Sequence, residues 1–204
     1  MQWLNENNDI SMEYLHNAFK KDQHTGFQQT SEGCLFSSSV VNVFTQLNQS
    51  HDTIKTLDLH DPIVIEKYIK CFFLTISQVL RDYANAMHRI FEHADEQDRI
   101  CLILMNNIQQ LILNLEQLQE LMGGTQLDDE TETMLKDLQK QLNDVLDELS
   151  TTFVKNIEPK IRQYIEEFYK QLQQIKEGNT SEQQKGAETM LVTKPLLDYL
   201  DQRY

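Results

Sequence analysis

Apolar residues recur every three or four positions along most of this sequence, the spacing that gathers side chains on one face of an α-helix. The segment QWLNEN, residues 2–7, has the pattern of a helix end. Asp9 or Ser11 is then placed to cap a new helix that runs to about Asp22, with Leu15 and Phe19 facing inward. Residues 24–33 are predicted to form a polar loop.

The next predicted helix has a polar interruption in its apolar row. Ser50 and His51 stand between the apolar residues, which are Phe36, Val40, Val43, Leu47, Ile54 and Leu57. The segment after it, DLHDP, contains Pro62, which suits the first turn of a following helix.

Long helices are predicted over residues 62–93 and 100–122, the second ending at a glycine pair. A further apolar stripe runs from Met134 to Ile175, and four of its residues are predicted to be buried: Leu138, Leu142, Val145 and Leu149. Because Pro159 lacks an amide hydrogen and its ring clashes with the preceding turn, we expect a kink or break near Asn156. After a loop over residues 176–186, a last helix is predicted from its apolar residues Met190, Leu191, Leu196, Leu197 and Leu200.

Composition supports a helical reading of the whole chain. Only 6 glycines and 3 prolines occur among 204 residues, and runs of alternating β-branched residues are absent from the sequence. The predicted fold class is therefore all-α, an elongated stack of antiparallel helical bundles. Both ends of the sequence have helical pattern, so we expect it to be part of a longer chain.

Charge and cysteine usage narrow the function classes. A formal net charge of −14 argues against broad binding to nucleic acid or anionic lipid, which needs a basic face. Three cysteines (Cys34, Cys71 and Cys101) form no C-x-x-C pair, so we expect reduced core residues of a cytosolic protein. The longest apolar run, ICLILM, is far too short to span a bilayer.

Candidate catalytic and metal-binding residues are few. His88 and Glu92 are four positions apart on one predicted helix, but two ligands do not complete a metal site, and a solvated helix face is the preferred interpretation. We therefore expect no enzymatic activity and no cofactor. The residues themselves indicate a helical interaction module.

Six segments carry a resemblance to a known family. QWLNEN, GFQQTSE, LFSSSVVNVFTQLNQS, ILMNNIQQL, ELMGG and LNDVLDELS resemble, in order and with similar gaps, segments of the MUN domain of the Unc-13 family. The resemblance extends from about Trp3 to Ser150 and more weakly beyond. It implies a partial MUN domain: about 1–34 as the end of a preceding bundle, about 35–176 as the first homology region, and about 177–204 as a loop and the start of following helices.

The resemblance implies a role in synaptic or secretory vesicle priming for regulated exocytosis. Unc-13 proteins are similar to tethering factors, with arched stacks of helical bundles. Their MUN domain binds syntaxin with its Sec1/Munc18-type chaperone and promotes syntaxin opening and SNARE complex assembly. A cytoplasmic location, peripheral at the presynaptic or plasma membrane, is expected. The alternative is an acidic helical tethering scaffold that lacks SNARE-opening activity.

The family also suggests a binding site, an Asn-x-x-Phe pair that engages syntaxin. Asn48 occupies the Asn position, whereas His51 stands where the Phe usually stands. If Leu47 points inward, His51 lies about 40° and Asn48 about 100° around the helix, which predicts His51 at the edge of the apolar stripe and Asn48 nearer to solvent. The alternative is a solvated helix shoulder with no binding role.

Overall fold

The computed structural model describes residues 2–31, 33–56, 61–94, 98–122 and 127–177, together with Lys194 and Leu197. Five helices span these residues: α1 (Gln2–Thr25), α2 (Ser38–Thr56), α3 (Pro62–Glu92), α4 (Asp98–Leu121) and α5 (Asp129–Glu177). The described residues contain no strand beyond a single bridge between Gln29 and Ser37. The predicted all-α fold class is confirmed.

The chain divides into two compact units, Met1–Leu149 and Ser150–Tyr204. The first unit contains α1 to α4 and the beginning of α5, and α1 contacts both α2 and α3 within it. The elongated stacking of bundles and the subdivision of the domain near residue 34 stay predictions. Of the predicted last helix, Leu197 is described as helical and exposed, whereas Met190, Leu191, Leu196 and Leu200 lie outside the described residues.

Helix α1 is longer than the cap rules predict. It is continuous from Gln2 to Thr25, so the expected boundary at Asp9 or Ser11 is wrong. The reason is packing: Ser11 is only 2 % exposed and lies one turn before the buried Leu15 on the inward face of the helix. A small serine inside a buried stripe has no reason to end the helix there.

The end of α1 is a Schellman turn. Gly26 and Phe27 both have positive φ, 69° and 54°, and the amide of Phe27 donates to the carbonyl of Asp22 at 2.8 Å. The Phe27 side chain is buried, which anchors the start of the loop to the bundle.

The starts of α3 and α5 follow the sequence rules closely. Asp61 accepts a hydrogen bond from the amide of Ile63 at 3.0 Å, with Pro62 in the first turn as predicted. Asp128 accepts one from the amide of Thr131 at 2.6 Å. These carboxyl groups satisfy amides that have no partner within their own helix.

Helix α5 continues through Pro159 to Glu177, so the expected break near Asn156 is wrong. Both Asn156 and Pro159 are exposed. Water can therefore hydrate the carbonyl that proline leaves without a donor, and the helix tolerates the residue. A bend at this point stays a prediction.

Contacts between side chains fix the direction of the helices in the first unit. Helices α2 and α3 are antiparallel, because Ser39 bonds Tyr83 whereas His51 stacks on Phe72. Helices α3 and α5 are parallel: Lys70 pairs with Glu130, Arg81 with Gln141 and His88 with Glu148, a constant separation of 60 residues.

The core of the first unit contains the predicted apolar stripes. Leu15 and Phe19 are buried, as expected. In α5, Leu138, Leu142 and Leu149 are buried as predicted, whereas Val145 is partly exposed. None of the helices in the described part of the chain is long and apolar enough to cross a membrane.

Candidate functional site

A buried carboxyl group from α1 organises the start of α2. Asp22 is fully buried, and its carboxyl oxygens accept hydrogen bonds from the hydroxyls of Ser37 and Ser38 at 2.5 and 2.9 Å. It also accepts one from the backbone amide of Ser39 at 3.1 Å. Because the first amides of a helix have no partner within that helix, Asp22 serves as a cap supplied by a neighbouring helix.

The same cluster extends to α3 and α4. The hydroxyls of Ser39 and Tyr83 are hydrogen bonded at 2.6 Å, and burial raises the pKa of the Tyr83 phenol well above its ordinary value. Asn107 accepts from the amide of Ser37 and donates to its hydroxyl, both at 2.8 Å. We call Asp22, Ser37, Ser38, Ser39, Tyr83 and Asn107 the polar cluster. It joins four helices at one point and fixes the spacing of α2 and α4.

Helices α2 and α4 also enclose a groove of about 290 Å³, which we call the α2–α4 groove. It is lined by Phe36, Val41, Phe44, Thr45, Asn48, Gln110, Asn114, Gln117, Leu118 and Leu121. None of these side chains is ionisable, although 25 % of the chain is charged. Phe44 and Leu118 are buried in the wall, whereas Asn48 is exposed at the edge.

Four amide side chains surround this apolar surface: Asn48 on α2 and Gln110, Asn114 and Gln117 on α4. The amide of Gln110 donates to Asn114 at 2.8 Å, which orients that pair. Amides can both donate and accept hydrogen bonds, so they recognise polar groups without selecting a sign of charge. The α2–α4 groove can therefore hold an apolar stripe flanked by polar groups.

His51 does not line this groove. It is 5 % exposed and stacks on Phe72 of α3, with ring centroids 6.2 Å apart and an angle of 13° between the rings. Burial lowers the pKa of His51 below its ordinary 6.5, the nearby charge of Lys55 lowers it further, and Asp52 opposes the shift.

The structure thus separates the two candidate residues. The expected position of His51 at the edge of the apolar stripe is wrong, because α3 covers that side of α2. Asn48 is exposed, as expected. The role of either residue in binding syntaxin stays a prediction.

The prediction missed the burial of the polar residues in α2 and the groove wall on α4, and the sequence contains a signal for each. The buried row of α2 does not stop at the polar residues, because Leu47, Ser50 and Ile54 continue it at steps of three and four and all three are buried. On α4, Gln110, Asn114 and Gln117 recur at steps of four and three. This amide stripe marks the groove wall.

The remaining candidate chemistry is structural. His88 lies 3.8 Å from Glu92 and 3.3 Å from Glu148, so it connects α3 to α5. The described residues contain no group of three His, Cys, Asp or Glu side chains suited to a metal ion.

All three cysteines have free thiols, but only Cys101 is in the core, since Cys34 and Cys71 are partly exposed.

A comparison with protein families gives a match over the whole chain. The sequence model described as the MUN domain matches residues 1–204. The match includes all of α1 to α5 and therefore both walls of the α2–α4 groove.

Proposed function

Since the chain belongs to the MUN domain family, we propose that it binds syntaxin together with its Sec1/Munc18-type chaperone through the α2–α4 groove. Family membership itself gives the chain a role in vesicle priming and SNARE-related function. Within that role, we propose that binding promotes syntaxin opening and SNARE complex assembly for regulated exocytosis, in the cytoplasm at the presynaptic or plasma membrane. The chain acts by binding and performs no covalent chemistry.

The observation that carries the proposal is the uncharged lining of the α2–α4 groove beside Asn48. A helix that assembles with partner helices carries an apolar stripe with polar flanks. Such a stripe can cover Val41 and Leu121, which are the exposed apolar side chains of the lining, while its flanks meet the amides. The described lining has no ionisable side chain, so it does not repel an acidic or a basic segment, although the whole chain has a charge of −14.

Promotion of opening requires a difference in affinity between two forms of the partner. A closed partner hides its apolar stripe and an open one presents it, so a groove that recognises the stripe binds the open form more tightly. Raising an open population from about 1 % to about 50 % requires roughly 2.7 kcal/mol of differential binding. The polar cluster supports such selectivity, because a groove of fixed width does not adapt to the closed form.

His51 has a supporting role in this proposal. Its ring packs between α2 and α3 and does not reach the groove, so it acts on binding by holding α2 in place. Asn48 is the residue of the pair that can touch a partner directly.

The test compares two neighbouring amides. Asn48→Ala is expected to weaken binding to the syntaxin–chaperone complex by roughly 5- to 30-fold, the range of a moderate interface hot spot. Gln49→Ala is the matched control, because Gln49 is an exposed amide one residue further along α2 that lines a different groove, between α1 and α2. Both variants should melt at the wild-type temperature, and equal affinities in the two variants would contradict the proposal.

A second pair of variants tests the uncharged lining. Gln117→Glu adds a charge inside the groove with almost no change of shape, whereas Gln109→Glu adds the same charge to an exposed part of α4 outside it. Only the first is expected to slow SNARE assembly from chaperone-bound syntaxin. Binding without any acceleration by the wild-type chain would favour the tethering scaffold.

A further inference from the structure

A second groove lies between α1 and α3, and none of the described residues that line it also lines the α2–α4 groove. This α1–α3 groove has a volume of about 500 Å³. Its floor is apolar: Leu15 and Phe19 are buried, whereas Met12, Ala86 and Ile90 are partly exposed. From Met12 to Gln23 the α1 wall extends over roughly 16 Å, about three helical turns.

The edge of the α1–α3 groove carries exposed cations. Lys20 on α1 and Arg89 on α3 both line it, and within the described part of the chain neither forms a salt bridge. Among the described residues that line the groove, Asp82 is the one carboxyl group, and it accepts a hydrogen bond from Gln78 at 2.9 Å.

This arrangement is unusual for so acidic a chain. The sequence has 32 Asp and Glu residues against 18 Lys and Arg, so carboxyl groups outnumber cations nearly twofold. Elsewhere in the described residues, Lys70, Lys136 and Arg162 are each paired with a glutamate, whereas Lys21 and Lys67 are exposed and form no salt bridge. In the α1–α3 groove the balance is reversed among the described lining residues, where two cations and one carboxyl group accompany the apolar residues. Arg89 forms no salt bridge, and its Nε donates to the backbone carbonyl of Asn85 at 3.3 Å.

We propose that the α1–α3 groove binds an amphipathic helix of a partner protein whose apolar stripe is flanked by carboxylates. The stripe would cover Met12, Ala86 and Ile90, and the carboxylates would meet Lys20 and Arg89. A helix laid in a groove between two helices buries its apolar face by the same packing that holds a bundle together. The cations select the sign of the flanking charge and orient the bound helix.

A protein helix fits this groove better than a membrane does. A concave groove matches the curvature of a single helix, and a lipid surface needs a convex or flat apolar face. The net charge of −14 also repels an anionic bilayer as a whole.

The test uses the full chain and two designed helical peptides of roughly 18 residues, a length of about 27 Å. Both carry the same stripe of leucine and alanine, one with glutamate flanks and the other with lysine flanks. In an acidic chain, non-specific attraction favours the lysine peptide, so tighter binding of the glutamate peptide in fluorescence anisotropy identifies the groove. The double variant Lys20→Glu, Arg89→Glu should weaken that binding by at least about tenfold.

Matched variants separate the site from general charge effects. Lys21→Glu with Lys67→Glu makes the same change in net charge at exposed positions outside the α1–α3 groove, and should leave binding unchanged. Ala86→Trp fills the floor without changing charge and should also abolish binding. Circular dichroism melts confirm that each variant is folded.

Three results would overturn the proposal. The first is tighter binding of the lysine peptide than of the glutamate peptide. The second is an equal loss of binding in the control pair. The third is binding of the wild-type chain to phosphatidylserine vesicles that the Lys20, Arg89 variant loses, because it would assign the groove to lipid.

Discussion

His51 is an ionisable residue in a place that favours a neutral ring. Burial against Phe72 lowers its pKa below 6.5, so the folded chain resists the proton that the unfolded chain accepts at the ordinary pKa. The unfolded state then binds more protons as the pH falls below about 6.5. The contribution of His51 to stability is therefore full above that pH and is lost as the pH falls towards the folded pKa.

The prediction for His51 compares two substitutions. His51→Phe keeps a planar ring on Phe72 and removes the titratable imidazole. This variant should retain the fold, and its stability should fall less than that of the wild type between about pH 7.5 and 5.5. His51→Ala leaves a cavity between α2 and α3 and should cost roughly 1–3 kcal/mol. Urea unfolding at both pH values measures each effect. A wild-type pH slope in His51→Phe would show that another group titrates.

The contrast between Asn48 and His51 shows which features of burial a helical pattern can predict. The apolar row of α2 gave the direction of the core correctly, since Leu47 is buried and Asn48 is exposed. The width of the buried arc depends on a neighbouring helix, and only Phe72 of α3 decides that His51 falls inside it. A single sequence cannot supply that contact.

At the scale of helices, local rules predicted the ends of α3 and α4 to within two residues and failed where packing decides. Serine is typical of a helix N-cap, but Ser11 lies in a buried stripe of α1. Proline is typical of a helix break, but Pro159 lies at an exposed position of α5. Asp22 was predicted only as the end of its own helix. Its carboxyl group caps α2, a relation that sequence spacing does not contain.

The polar cluster gives a prediction for the assembly of the helices. Asp22→Ala removes the acceptor of three hydrogen bonds and leaves the Ser39 amide and two hydroxyls without that partner in a buried site. The expected loss is roughly 2–4 kcal/mol. Glu13→Ala, at an exposed position of the same helix, should stay within about 0.5 kcal/mol.

Urea unfolding curves measure this difference. The midpoint of Asp22→Ala should fall while the slope stays constant, because the surface exposed on unfolding is unchanged. If both variants had the same midpoint, the polar cluster would contribute nothing to holding α1 on α2.

For the molecule as a whole, the average composition does not reveal the α2–α4 groove or the α1–α3 groove. The chain has a net charge of −14, but the described residues that line the α2–α4 groove are uncharged, and those that line the α1–α3 groove include two cations without a salt bridge. Each groove combines side chains from helices far apart in sequence. The fold class therefore follows from periodicity, whereas the binding surfaces require the packing of α1 to α4.

The last prediction concerns the joining of α5 to the first unit. Leu142 is 1 % exposed in the part of α5 that belongs to that unit, and the parallel pairing with α3 surrounds it at Arg81–Gln141 and His88–Glu148. Leu142→Ala should cost roughly 2–5 kcal/mol, because it removes buried methyl groups and leaves a cavity. Leu74→Ala makes the same chemical change at a leucine of α3 that is 54 % exposed, and should cost much less. Thermal and urea unfolding of the two variants tests this directly. Equal stabilities would mean that the α5 stripe is not part of the core. The register of α3 against α5 would then be wrong.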